Sequence, residues 1–172
     1  MVKIMTLGFN PSKIGLNNTY PNSIRESEDV MQAMETPDWE YFKLTDHSPT
    51  SAFRQYLSLN KLPVEDQSMQ NIINQSYSVI MALKQYHNRP RPYQISSIKP
   101  AQSTTANTPA YPSGHALQSY LISDMLSAKY PERKQDFKKI ADRIANARVS
   151  VGLHYPSDNE YSKRLSKELS NY

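Results

Sequence analysis

Proline placement constrains this chain more than any other feature. Pro63, the pair Pro90 and Pro92, then Pro112, Pro131 and Pro156 cut the C-terminal two thirds into stretches of helix length. A proline lacks the backbone donor and disfavours helix in the residue before it, so helices start at these cuts or stop short of them. Between the cuts, apolar residues recur at the i, i+3, i+4 rhythm of a core-facing stripe. Met69, Ile72, Ile73, Ile80 and Leu83 mark the first stripe, on a helix expected from Pro63 to about Asn88 with Glu65 and Asp66 in its first turn. Leu117, Leu121, Met125 and Leu126 mark the second, from a Ser113 cap to about Lys129. Phe137, Ile140, Ile144 and Ala145 face inward between Glu132 and Val149, and Tyr161, Leu165 and Leu169 repeat every four residues after Pro156. Asp29–Met34 and Ser51–Leu59 read as shorter helices, and residues 1 to about 23 as irregular. No run alternates at strand spacing. The expectation is an all-α fold, a compact single-domain helical bundle over residues 1–172. Its motif-bearing core covers about 63–172, with residues 1–60 an unassigned part of the same domain.

Composition narrows what such a bundle does. The longest apolar run, Val79 to Leu83, has five residues, whereas a bilayer span needs about 18. No membrane span is expected. The first residues contain no apolar stretch of the ~7–15 residues a secretory leader uses, which points to a cytoplasmic location. The chain has no cysteine, which excludes disulfides, thiolate catalysis and zinc–thiolate sites. A net charge of +4 favours anionic ligands and is too small to imply a nucleic-acid partner.

Chemistry-bearing residues fall in three short stretches. In the first, Lys84 stands seven residues before Arg91-Pro92, at the end of the long helix. Seven helical steps return almost to the starting angle, so both cations project to one side; alone, this is also what complements a helix dipole. In the second, Tyr111-Pro112-Ser113-Gly114-His115 opens a helix. Backbone N–H groups point outward there, glycine lets an anion come close, and a first-turn histidine is at the wrong end of the dipole to be charged. In the third, Arg148 is followed by His154 and Asp158. The four-residue step allows a carboxylate to hold Nδ1–H and leave Nε2 free. A Ser/Thr/Pro-rich loop from Tyr93 to Pro112 separates the first two stretches, and loops of that length in a compact fold are usually functional.

Taken together, the three stretches resemble the signature of the type 2 phosphatidic acid phosphatase superfamily. Lys84 and Arg91-Pro92 keep the family spacing, Pro112 to His115 match outright, and Arg148, His154 and Asp158 keep the separations of its third motif. Ala147 stands where the family has serine. Ala110 to Ala116 look most like the soluble class A nonspecific acid phosphatases. The resemblance implies a metal-independent phosphatase for small phosphate monoesters, needing no cofactor. In it His154 is the nucleophile that becomes phosphohistidine, Asp158 orients it, and His115 protonates the leaving oxygen. Lys84, Arg91, Ser113, Gly114 and Arg148 hold the phosphate. Two other readings use the same anion cage: a vanadate-dependent haloperoxidase, and a non-catalytic phosphate-binding module. The module has no use for a nucleophile, an acid and an orienting carboxylate together. Outside this set, His87 and Arg89 read as surface or rim groups, with Arg89-Pro90 a decoy Arg-Pro pair. His47, beside Asp46, reads as a loop histidine, and Trp39, Tyr41 and Phe42 as core.

Overall fold

The structure is a computed structural model that describes residues 19–170; most of the stretch expected to be irregular lies outside them. The described residues form α1 (Ser23–Ala33), α2 (Trp39–Thr45), α3 (Thr50–Leu59), α4 (Asp66–His87), α5 (Pro92–Ile95), α6 (Gly114–Lys129), α7 (Lys134–Ser150) and α8 (Pro156–Ser170), with a 3₁₀ turn at Pro131–Arg133 before α7. No strand occurs among them. Side-chain caps set several starts: Asn22, Asp38 and Ser113 accept from the backbone amides of Arg25, Tyr41 and Ala116. The expected start of α4 at Pro63 moves to Asp66. Lys61 adopts a left-handed conformation and Leu62 N–H donates back to Leu57 O, so Pro63 and Val64 only connect two helices.

α6 is the hub. It packs against α4, α7 and α8, and its buried residues Leu117, Tyr120, Leu121, Ile122 and Leu126 point in several directions. A helix that is apolar nearly all round belongs inside a bundle rather than on its surface. Phe53, Leu57, Met69, Leu83, Phe137, Ile144 and Leu165 close the core around it. Burying a side chain of this kind is worth roughly 1.5–3 kcal/mol. Tyr41 and Phe42 belong to this core as expected, but Trp39 does not: it is 48% exposed and meets Phe42 only edge to face.

Three connections carry the residues of the sequence motifs. α4 ends on Asn88 in the left-handed conformation, a common helix stop. Arg89 and Arg91 are each followed by proline, which keeps this link out of helix, and Arg91 is extended. Beyond α5, the loop to Ser113 is stitched back onto the bundle by Ala101 N–H to Val151 O and Ala110 N–H to Arg89 O, both 2.9 Å. α7 ends in a Schellman turn: Leu153 N–H donates to Arg148 O and Gly152 N–H to Val149 O. That turn sets His154 relative to Arg148.

Gly152 has φ +83°, and a Cβ there would lie 2.9 Å from Ile98 Cγ2. The left-handed backbone alone costs an L-residue about 1–2 kcal/mol. Gly152→Ala should therefore lower the melting temperature by several degrees, measured by calorimetry on the purified protein, and an unchanged melt would contradict this turn.

Candidate active site

Lys84, Arg91, Ser113, Arg148, His154 and Asp158 are all buried, and His115 nearly so. The fold draws them from α4, the α4–α5 link, the start of α6, the end of α7 and the α7–α8 turn. His154 and Asp158 make direct contact, Nδ1 to Oδ2 at 2.9 Å, and the Tyr155 amide donates to the same oxygen at 2.9 Å. On the other side of the ring, Arg91 Nη1 lies 2.8 Å from Nε2. A guanidinium only donates, so Nε2 is the acceptor and Nδ1 carries the ring proton. The nucleophile expected from sequence thus has its lone pair capped by an arginine.

The other cations also rest on placeholders. Lys84 Nζ donates to Pro109 O. Arg91 Nε donates to Thr108 O at 2.8 Å and Nη1 to Leu153 O at 3.0 Å. Arg148 Nη1 pairs with Asp46 Oδ1 at 2.7 Å, and Nη2 reaches Thr105 Oγ1 at 3.3 Å. Arg148 Nε is buried with no hydrogen-bond partner among the described residues. Such an unmet donor costs about 1–3 kcal/mol.

Asp46, just past α2, is the main residue that sequence reading left out of the site. Its carboxylate accepts from Arg148, from Ser103 Oγ at 2.5 Å and from Thr104 N–H at 3.0 Å. Burial opposes the charge, but these donors outweigh it and hold the carboxyl down at about 2. Its backbone carbonyl accepts from His115 Nε2 at 2.8 Å. That fixes the His115 tautomer and leaves Nδ1 as the nitrogen able to exchange a proton. The only local signal was an Asp-His pair in a turn. Arg148 is held by Asp46 at the end of α2, while Ala147 packs into the core.

Three expectations need correction. Arg89 is not a surface group, although it is Arg91 and not Arg89 that meets the His154 ring. The Arg89 side chain is fully buried and lies 2.8 Å from Asp158 Oδ1. His87 is partly buried and packs edge-on to Tyr111 at 4.8 Å and Tyr161 at 5.6 Å. The Ser113 amide turns toward Asp158 O at 3.4 Å, and its hydroxyl caps α6; the hydroxyl proton stays free to donate. His47 is exposed, as a loop histidine should be.

A cleft of about 450 Å³ opens onto Lys84, Gly114 and His115, walled by Ile73, Tyr77 and Ile80 from α4. His154, Arg148 and Asp158 are buried and do not line it. A Cβ on Gly114 would stand 3.5 Å from Ile80 Cγ2, an ordinary contact, so protein packing alone does not demand glycine there. Among the described residues no group of three or more His, Asp or Glu is placed to hold a metal ion.

Electrostatically, the site is short of negative charge. Burial, then Arg91, Lys84, Arg148 and His115, push His154 well below the ordinary histidine range. Burial, then Arg148, brings His115 down to about 3. Burial, then Arg91, also depresses Lys84. An anion among these groups pushes each of them in the opposite direction, against the burial.

Residues 70–163, which include every one of the motif residues, match the PAP2 superfamily. A non-specific acid phosphatase of Salmonella typhi is 32% identical over 95 residues, 52% of this chain and 38% of that protein. One of Salmonella typhimurium is 31% identical over 86 residues, 48% and 34% respectively. The chain thus spans little more than a third of the length of these curated relatives. A crystal structure of a transmembrane PAP2-type phosphatidylglycerolphosphate phosphatase from Bacillus subtilis superposes with a TM-score of 0.57 at 18% identity. It covers 88% of this chain and 85% of that one, a likeness of fold alone. This neighbour overturns the cytoplasmic expectation, since the same helical fold serves a transmembrane protein and a missing apolar run does not fix the compartment. No helix among the described residues is long and apolar enough to cross a membrane.

The charge balance gives a direct check. His115 in the ligand-free protein should stay neutral between pH 8 and 5, where an ordinary histidine titrates. Inorganic phosphate should move its titration upward. NMR of the ring resonances measures both, and a ligand-free His115 half-protonated near pH 6.5 would contradict its burial beside Arg148.

Proposed function

This chain belongs to the PAP2 superfamily, and we propose on that premise that it is a phosphatase releasing phosphate from small monoesters through a phosphohistidine, without a metal ion. The observation that carries the reading is the buried, underpaired cation cage around a histidine whose tautomer presents Nε2. Arg148 Nε has no partner, and Lys84 and Arg91 rest on loop carbonyls at Pro109 and Thr108. A phosphate oxygen is a better acceptor for each than a neutral carbonyl, because both partners are then charged.

Binding and chemistry follow from the same contacts. An entering dianion takes the Arg91 N–H from His154 Nε2 onto its own oxygen, which frees the lone pair. Lys84, Arg91, Arg148 and the Ser113 hydroxyl then spread over the equatorial oxygens, where charge develops in phosphoryl transfer. Nε2 forms a bond to phosphorus in line as the ester P–O bond breaks. The imidazolium gains support from Asp158 across Nδ1–H. The dianion has meanwhile raised His115, which gives the Nδ1 proton to the leaving oxygen. In the second step His115 takes a proton from water as the water oxygen attacks phosphorus and the P–N bond breaks.

Wild-type protein should hydrolyse an aryl phosphate in excess EDTA and be inhibited by vanadate. Rapid quench with labelled substrate should trap an acid-labile phosphoenzyme that is absent in His154→Ala. A phosphoserine, or activity lost on chelation and restored by a divalent ion, would sink the proposal. Gly114→Ala should melt like the wild type, because a Cβ fits, yet raise KM by about tenfold if the anion approaches the start of α6. Unchanged KM would place the anion elsewhere.

A further inference from the structure

Arg89 has no role in the reaction described above, yet it is the most elaborately held cation among the described residues. Its side chain has no solvent exposure. Nη1 donates to Asp158 Oδ1 at 2.8 Å and to Ser157 Oγ at 2.7 Å, Nη2 to Glu26 Oε2 at 2.6 Å, and Nε to Ser23 Oγ at 3.1 Å. Its guanidinium carbon stands 3.7 Å from the centre of the Tyr155 ring. Glu26 in turn accepts from the Ser157 amide at 2.8 Å and hydroxyl at 2.5 Å. One arginine therefore joins α1, the α4–α5 link and the start of α8 at the carboxylate behind His154.

Backbone geometry explains how it gets there. Arg89 and Arg91 stand two residues apart in a non-helical link, each before a proline, and both side chains enter the same buried region. Together they reach both ends of the His154–Asp158 pair: Arg91 meets Nε2 at one end, Arg89 meets Oδ1 at the other. The double Arg-Pro sequence is thus a two-pronged brace.

We infer that Arg89 is a positioning residue for the proposed phosphatase reaction, clamping Asp158 against α1 so that its second oxygen faces His154 Nδ1–H. The inference rests on that reading of the site. Asp158 is faced by Arg89 and Arg91 from the α4–α5 link, by Lys84 from α4 and by His154 from its own turn, with Glu26 of α1 behind Arg89. Burial pushes the Asp158 carboxyl up to about 7, and Arg89 is the strongest group pulling it back. Without Arg89 the carboxyl takes a proton at a higher pH. A protonated Asp158 no longer supports the imidazolium, so the acid limb of the rate profile moves to higher pH.

The test uses the whole chain, with p-nitrophenyl phosphate in single-turnover and steady-state measurements over a pH range. Losing the carboxylate partner of a catalytic histidine costs up to ~10⁴-fold, so losing the clamp in Arg89→Met should lower kcat on the order of 10²-fold. KM should change less than about threefold, because Arg89 does not touch the phosphate cage. The acid limb should shift upward. In an Asp158→Asn background the same substitution should cost little more, whereas a purely structural arginine would cost as much in either background. Arg89→Lys keeps the buried charge and decides alone if the methionine variant does not fold. One ammonium cannot serve Asp158, Glu26, Ser157 and Ser23 together, so kcat should drop about tenfold, with a smaller upward shift of the limb. Proton NMR adds an arm independent of turnover: the downfield His154 Nδ1–H resonance should be present at neutral pH in the wild type and weakened in both variants. Wild-type kcat, limb and resonance in a folded variant would overturn the role of Arg89. An inactive wild type would instead overturn the phosphatase reading, and the resonance would still decide the clamp.

Discussion

Four cationic side chains are buried in this bundle, at Lys84, Arg89, Arg91 and Arg148, and the rest of the site is arranged to make that tolerable. A charge taken out of water is costly unless it is paired and hydrogen-bonded. Asp158 and Glu26 answer Arg89, and Asp46 answers Arg148. Lys84 and Arg91 are left with carbonyls and a neutral imidazole. The balance is therefore complete behind the His154–Asp158 pair and incomplete in front of it. Such an asymmetry favours an anion in front of that pair.

The pairing also gives the N-terminal helices a purpose. α1 supplies Glu26 and Ser23, and α2 presents Asp46 at its end. Neither helix carries a motif residue, yet each anchors an arginine from the motif-bearing part. Arg148 is spaced 102 positions from Asp46, and Arg89 63 from Glu26. The motif-bearing part of the chain thus depends on the helices before it for its electrostatics as well as for covering its core.

This separation explains what the sequence disclosed and what it withheld. Helix positions were legible because prolines and apolar stripes are local signals, and α4, α6, α7 and α8 fall within a few residues of the expected limits. α2 was missed because seven residues are too short for a stripe to declare itself. Lys84, Arg91, Ser113, Gly114, His115, Arg148, His154 and Asp158 were singled out by resemblance to a family signature, and the fold gathers them from distant parts of the chain. Asp46 and Glu26 were not, since a lone carboxylate at a helix end or in a first turn looks like ordinary capping, and its partner lies far along the chain. Arg89 was misjudged for a different reason. Counting from Lys84 selects one Arg-Pro pair, but both arginines of the two consecutive pairs are buried.

In the proposed reaction, binding and proton transfer are linked. Burial and the neighbouring cations hold His115 and His154 below the ordinary histidine range, and Arg91 Nη1 caps the His154 Nε2 lone pair. On that reading neither the acid nor the nucleophile is ready until substrate charge arrives. A phosphate dianion corrects both at once, drawing Arg91 onto its own oxygen and restoring the basicity of His115. A neutral or singly charged ester does each of these less well, because the pull on Arg91 and the rise in the His115 pKa both scale with the charge delivered into a water-poor cage. In the proposed reaction, selection for a phosphate monoester therefore needs no dedicated recognition pocket. It follows from making the substrate's own charge the agent that switches the site from its resting pairs to its working ones.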